Sequence, residues 1–310
     1  MIHKLKPFIR KFLPKWAIQF LNFKPVITIT DMRTARFAYW MLKKNLKGEH
    51  HRGDCDEYLL RKFAHIVDKG LQNIFREKGR GEDIVKELEK TLKKAELNNS
   101  FSYKWAKKIY DDYYSFQKGE DISHYYDPIF KEEKFNYNEL IKIIKSIRSI
   151  RFFQNKKIDK EILDEIFNVI NWAPNSCNRQ AIKLFVKTNS NKDILDLMKL
   201  NNGATCMNIP PVFASICFDT KGLILPLEKD VAYLDTGLGL QNLILLAHAK
   251  GLATCVLNWT HSSKSQEDQL KNKLGIDDDH LIIANIVIGY PLKDSPMPPR
   301  DINNKFVFWK

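Results

Sequence analysis

Long apolar runs are missing from this chain of 310 residues. No uninterrupted stretch approaches the roughly 18 residues that a membrane-spanning helix needs. The N-terminus has no short apolar core ending in small residues, so a secretory leader is not expected. Cysteine is sparse: Cys55, Cys177, Cys206, Cys217 and Cys255 are odd in number and form no CxxC pair. That pattern argues against a disulfide scaffold and for a reducing compartment. Cys217 and Cys255 fall in apolar stretches, where a thiol behaves as a small hydrophobe. The expectation is a soluble, cytoplasmic chain.

Acidic residues are almost absent from residues 1–48, which hold eleven Lys and Arg against Asp31 alone and carry +10 of the total +13. Such an arm suits an anionic partner, such as lipid headgroups, nucleic acid or an acidic protein face. A solvated basic helix face explains it equally. Ile2, Leu5, Ile9, Phe12, Trp16 and Phe20 recur at spacings of three and four, an amphipathic stripe interrupted at Pro7 and Pro14. It can lie in a membrane interface, making the protein peripheral to the membrane, or pack on the rest of the chain. No nucleic-acid motif accompanies the charge. His50, His51, Cys55 and His65 crowd together, but their spacing fits no zinc pattern, and no metal is predicted.

Hydrophobic content of 44% and aromatic content of 12% are enough to fill a core, which excludes global disorder. Residues 57–75, 82–97 and 104–116 read as helices, with a break at Lys78-Gly79-Arg80-Gly81, and 119–138 reads as a connection. The N-terminal part, 1–136, is thus predicted to be a mainly helical, basic extension. From residue 137 helices and strands alternate. Helices are expected at 139–146, from an N-cap at Asp159 to about Trp172, at 193–200, at 231–250 and at 265–274. Strands are expected at 182–187, 212–218, 254–257 and 281–288. The long helix at 231–250 is read as largely buried and ended by Gly251. Strands without polar alternation imply a sheet covered on both faces. The fold class is α+β, with a central sheet flanked by helices over 137–310.

Arg148, Ser149 and Arg151 fall within four positions, so one loop can offer cationic and hydroxyl donors to a single phosphate. Pro174 stops the preceding helix. The loop after it holds Asn175, Ser176, Asn178 and Gln180, whose amides donate and accept, as a polar ring edge and a ribityl chain require. More than a hundred residues later come Gly289-Tyr290-Pro291, Arg300 and Val307-Phe308-Trp309.

The order of these features resembles the nitroreductase family: RSxR, an amphipathic helix, APxSxNxQ, then a strand. Asp235 to Leu243 is similar to the opening of that family's central helix. The resemblance covers roughly 146–310, and residues 1–145 resemble nothing we can name. It implies an α/β/α sandwich around a mostly antiparallel sheet. It also implies an FMN site made by Arg148, Ser149, Arg151, Pro174, Asn175, Ser176, Asn178, Gln180 and Arg300. Leu257 and Asn258 lie where family members set backbone amides beside the flavin N5–O4 edge. Gln180-Ala181-Ile182 replaces the common Gln-Pro-Trp, and Ile147-Arg148 replaces a doubled arginine.

The activity implied by the resemblance is that of an NAD(P)H-dependent FMN oxidoreductase working by ping-pong hydride transfer to a small organic acceptor, as a homodimer. No catalytic side chain is required, because the flavin performs the redox step. Two alternatives remain open at this point. One is a specialised flavin enzyme of the same scaffold (a dehalogenase, azoline oxidase or flavin-cleaving enzyme). The other is a non-catalytic adaptor that binds a membrane or polyanion through the basic arm.

Overall fold

Apolar residues at spacings of three and four build the first helices. The computed structural model describes residues 56–73, 75–95, 100–125, 136–188, 191–204, 206–223, 228–259, 262–300, 308 and 310. All of them belong to one compact unit, His50–Lys310. The basic arm, its amphipathic stripe, His50, His51, Cys55, Val307 and Trp309 lie outside the described residues. His65 sits on the first helix.

Helices α1 (Asp56–Leu71), α2 (Glu82–Ala95) and α3 (Phe101–Lys118) share one core. Leu60, Ala64, Val67 and Leu71 of α1 meet Val85, Leu88 and Leu92 of α2 and Ala106, Ile109 and Tyr113 of α3. Ser100 caps α3 by accepting from the Tyr103 N–H, and Gly119, at φ 84°, ends it. The expected helical N-terminal part is present wherever it is described.

Then come α4 (Tyr137–Ser146), α5 (Lys160–Asn168), β1 (Ile182–Thr188), α6 (Asn191–Lys199), β2 (Val212–Asp219), α7 (Lys229–Ala249), β3 (Ala253–Leu257), α8 (Lys264–Leu274) and β4 (His280–Gly289). The four strands form an antiparallel sheet in the order β1-β2-β4-β3. Every residue of β2 is buried, as a strand covered on both faces must be. Ile194, Leu197 and Met198 of α6 and Leu270 of α8 pack with Phe213, Cys217 and Val287 on one face. Helix α7 lies against the other.

Two local expectations need correction. Asp159 holds the N-cap position of α5, but its side chain makes no capping hydrogen bond. The helix also tightens into a 3-10 turn at Val169–Trp172 before Pro174. Helix α7 ends as predicted, with Gly251 at φ 75°, yet it is buried along one stripe only. Tyr233, Leu234 and Leu238 are exposed, because the sheet covers only the Ala232–Thr236–Gly239–Leu243–Ala247 side.

Candidate functional site

The sheet positions the predicted site residues in two places. After α4, the chain runs along the outer edge of β3, where Ser149 bridges to Thr254 and the Ile150 N–H donates to the Thr254 carbonyl at 3.1 Å. Residues 152–154 then pair with 290–292: Gln154 N–H donates to the Tyr290 carbonyl at 2.8 Å, and Leu292 N–H to that of Phe152 at 2.9 Å. The Asn208 side chain clamps Phe153, accepting from its N–H at 2.8 Å and donating to its carbonyl at 2.7 Å.

This pairing draws Arg148 to the C-terminal segment. Its Nε donates to the Ser295 carbonyl at 2.5 Å and its Nη1 to the Ser146 carbonyl at 2.6 Å, and it lies 3.3 Å from the Asp294 carboxylate. A cavity of about 500 Å³ opens here, walled by Arg148, Ile150, His248, Thr254, Pro291 and Lys293. That volume lies within the roughly 300–1,000 Å³ of small-molecule sites. Ser149, Arg151, Lys293 and Arg300 are exposed. Cys255 is close enough for Arg151 and Ser149 to pull its thiol pKa down, but burial outweighs them and pushes it up. Much of Arg148 is therefore spent on holding a strap, a structural use that the RSxR motif by itself does not reveal.

The second place is the loop before β1. Cys177, Asn178 and Gln180 have φ of 54°, 51° and 53°, a left-handed conformation that is uncommon for residues other than glycine. Local bonds hold it. Asn175 Oδ1 accepts from the Gln180 N–H at 3.0 Å, and Gln180 Nε2 donates to Asn178 Oδ1 at 2.9 Å. The two amides expected to meet a ligand thus also bind each other. Ser176 donates to the Asp235 carboxylate of α7 through its N–H at 3.0 Å and its hydroxyl at 3.4 Å. Burial raises the Asp235 pKa, and the Ser176 N–H opposes the rise. Arg179 is buried, donating to the carbonyls of Ser176 and Gly222 and to Glu228 Oε2. Pro174 is exposed at the rim.

These two groups do not meet within one chain. Ser176 is tied to Asp235, and Ser146, next to the first group, is bonded to His248 at 2.7 Å. Asp235 and His248 are thirteen residues apart on α7, which at 1.5 Å per residue is about 20 Å. Leu257 ends β3 and is buried. The Asn258 backbone corrects an expectation: its N–H donates to the Asn202 carbonyl at 3.2 Å, so that amide is already engaged. Sequence reasoning also missed Lys293, Asp235, Arg179 and His248. A lone acid in the apolar run of α7 was the available signal for Asp235.

Residues 144–204 and 226–290 match the family model described as "Nitroreductase family". The C-terminal half carries the nitroreductase match. The "FMN reductase [NAD(P)H]" of Bacillus subtilis is 24% identical over 178 residues, which cover 53% of this chain and 70% of that protein. The "FMN-dependent Nitroreductase" of Clostridium difficile superposes with a TM-score of 0.48 at 21% identity, over 55% of this chain and 98% of that one. A "Nitroreductase with bound FMN" from Desulfitobacterium hafniense superposes with a TM-score of 0.46 at 19% identity, over 56% of this chain and 100% of that one. The family-matched region begins within α4, so α1, α2 and α3 lie outside it.

Proposed function

We infer that this protein is an FMN-dependent oxidoreductase that draws reducing equivalents from NAD(P)H for a small organic acceptor. The observation that carries the reading is the meeting of Arg148 with Asp294 and Ser295 around a cavity beside β3. The cavity wall from Ser146 to Ile150 and from His248 to Thr254 lies within the nitroreductase match, and the Bacillus relative is named for FMN and NAD(P)H.

The residues present fit a phosphorylated flavin. Ser149 offers a hydroxyl, and Arg151 and Lys293 offer exposed cations on segments that border the cavity; Arg300, exposed further along the chain, is a candidate for a further cation. Arg148 fixes the wall by tying the 291–295 segment to the end of α4. The amides of Asn178 and Gln180 suit polar ring edges. FMN, if bound, would supply the redox chemistry that links NAD(P)H to the acceptor. The protein contributes position, charge and access.

Because the two residue groups lie about 20 Å apart along α7, a homodimer completes the site, with the 174–180 loop of one copy facing the cavity of the other. The exposed Tyr233, Leu234 and Leu238 of α7, with Trp172 on the turn packed against that helix, supply an apolar face for the pairing. The purified protein is expected to be yellow and to bleach anaerobically on NADH or NADPH. Colourless protein that takes up no added FMN refutes the reading.

A further inference from the structure

Three residues of the 174–180 loop hold a left-handed backbone conformation, which persists only where the surroundings over-determine it. Part of that determination comes from outside the family-matched region. Arg61 of α1 donates through Nη1 to the Arg179 carbonyl at 3.1 Å, in the middle of the loop. Its Nε donates to Ser102 Oγ of α3 at 2.6 Å, and Ser102 is 1% exposed. The Arg61 fork therefore spans from the core of the helical trio to the loop backbone.

One more contact runs in parallel, with a charge beside it. Tyr58, one turn earlier on α1, donates its hydroxyl to Asp219 Oδ2 at 2.9 Å, at the end of β2. Lys62, half-buried, is within electrostatic reach of Glu228, Cys177 and Arg179. Burial lowers its pKa, and the Glu228 carboxylate opposes that shift. A helix fixed on both β2 and the loop has little freedom to move away from either.

We propose that α1 is a working part of the candidate site, with Arg61 a positioning residue that keeps Asn178 and Gln180 aimed as the cofactor requires. The functional half rests on the FMN reading; the bracing half does not. Arg61 touches neither cofactor nor acceptor. It acts through the Arg179 carbonyl, and the helical extension thereby tunes a site that the family scaffold supplies.

Cys177 lies within the strained stretch and is half-buried, so its labelling by a thiol reagent reports loop opening. The full-length Arg61→Ala, Ser102→Ala and Arg61→Lys variants would be labelled and mapped by peptide mass spectrometry. Lys93→Ala serves as a remote control, since Lys93 pairs with Glu89 on the exposed side of α2. Arg61→Ala is expected to label at Cys177 about tenfold faster, the scale of one hydrogen bond from a charged group. Ser102→Ala should fall between that variant and the wild type, and Arg61→Lys near the wild type. FMN affinity, titrated by flavin fluorescence, should fall in the same order.

Wild-type labelling of Cys177 in both Arg61→Ala and Ser102→Ala overturns the brace. So does equal acceleration at Cys217 and Cys255, which would mean general loosening. Faster labelling with unchanged FMN affinity overturns the link to the site. If Arg61→Ala does not fold, Ser102→Ala decides. If the wild type binds no FMN, the cofactor reading fails while the thiol comparison still judges the brace.

Discussion

Arg179 Nη1 meets Glu228 Oε2 at 2.9 Å, with only 4% of the arginine side chain exposed and 24% of the glutamate. Arg179 also donates to the carbonyls of Gly222 and Ser176, so one guanidinium fastens the 174–180 loop to the segment entering α7. Removing it takes the donor from the buried Gly222 carbonyl and a close counter-charge from Glu228. Arg179→Ala is expected to destabilise the protein by about 3–5 kcal/mol, and Glu228→Gln by less, because the amide retains an acceptor. Urea unfolding at neutral pH measures both.

Gly239 is fixed by close approach rather than by backbone freedom. A Cβ there would lie 2.7 Å from Ile170 Cγ1 and 2.8 Å from the Ile170 carbonyl oxygen, which is backbone and cannot swing aside. The gain in helix propensity on adding a methyl is about 1 kcal/mol. Overpacking typically costs about 1–3 kcal/mol, and here it should win. Gly239→Ala should therefore lower the urea midpoint, whereas Gly237→Ala, which meets open space, should raise it or leave it unchanged.

His280 gives the protein an acid sensitivity. Burial lowers its pKa from the ordinary 6.5, and Asp219 and Asp277 only partly oppose this, while Lys183 and Lys221 add to it. Its Nδ1 is buried without a partner among the described residues, and its ring stands edge-on to Phe185. The folded state thus resists protonation that the unfolded chain accepts. Stability is fully present above about 6.5 and is lost as pH falls below that value toward the lowered folded pKa. His280→Phe should flatten this part of the Tm-against-pH curve. An unchanged slope would assign the sensitivity to another group.

Arg148, on the cavity wall, and Arg300, further along the chain, are together expected to set FMN affinity. A hydrogen bond to a charged group contributes roughly 1.5–3 kcal/mol, so Arg148→Ala combined with Arg300→Ala should weaken binding by about two orders of magnitude or more. Arg148→Ala alone should cost more than Arg300→Ala alone, because it also frees the 294–295 strap. Fluorescence titration of FMN ranks the three variants.

Leu234, 61% exposed on α7, tests the pairing of two copies. Leu234→Asp puts a charge in the apolar face and is expected to shift the protein to monomer in analytical ultracentrifugation. If the site needs two copies, FMN affinity falls with it, although Leu234 lies outside the cavity lining. A monomeric variant with wild-type affinity would place the whole site in one chain.

Residue order alone was enough to read the secondary structure of the C-terminal half and its α+β class. Those features rest on local information: the alternation of periods, Pro174 after the α5 segment, Gly251 after α7, and unbroken apolar strands. It also pointed to RSxR and APNSCNRQ, because donor chemistry is visible in residue types. What those donors do depends on the folded chain. Arg148 is turned to Ser295 and Asp294 because residues 152–154 pair with 290–292, a contact between segments about 140 residues apart that no local pattern encodes. Likewise the two halves of the predicted site hang from opposite stretches of one helix, and Arg61 reaches the loop only because α1 packs there. Partner choice in space depends on which apolar faces meet, and that is settled by the whole core at once.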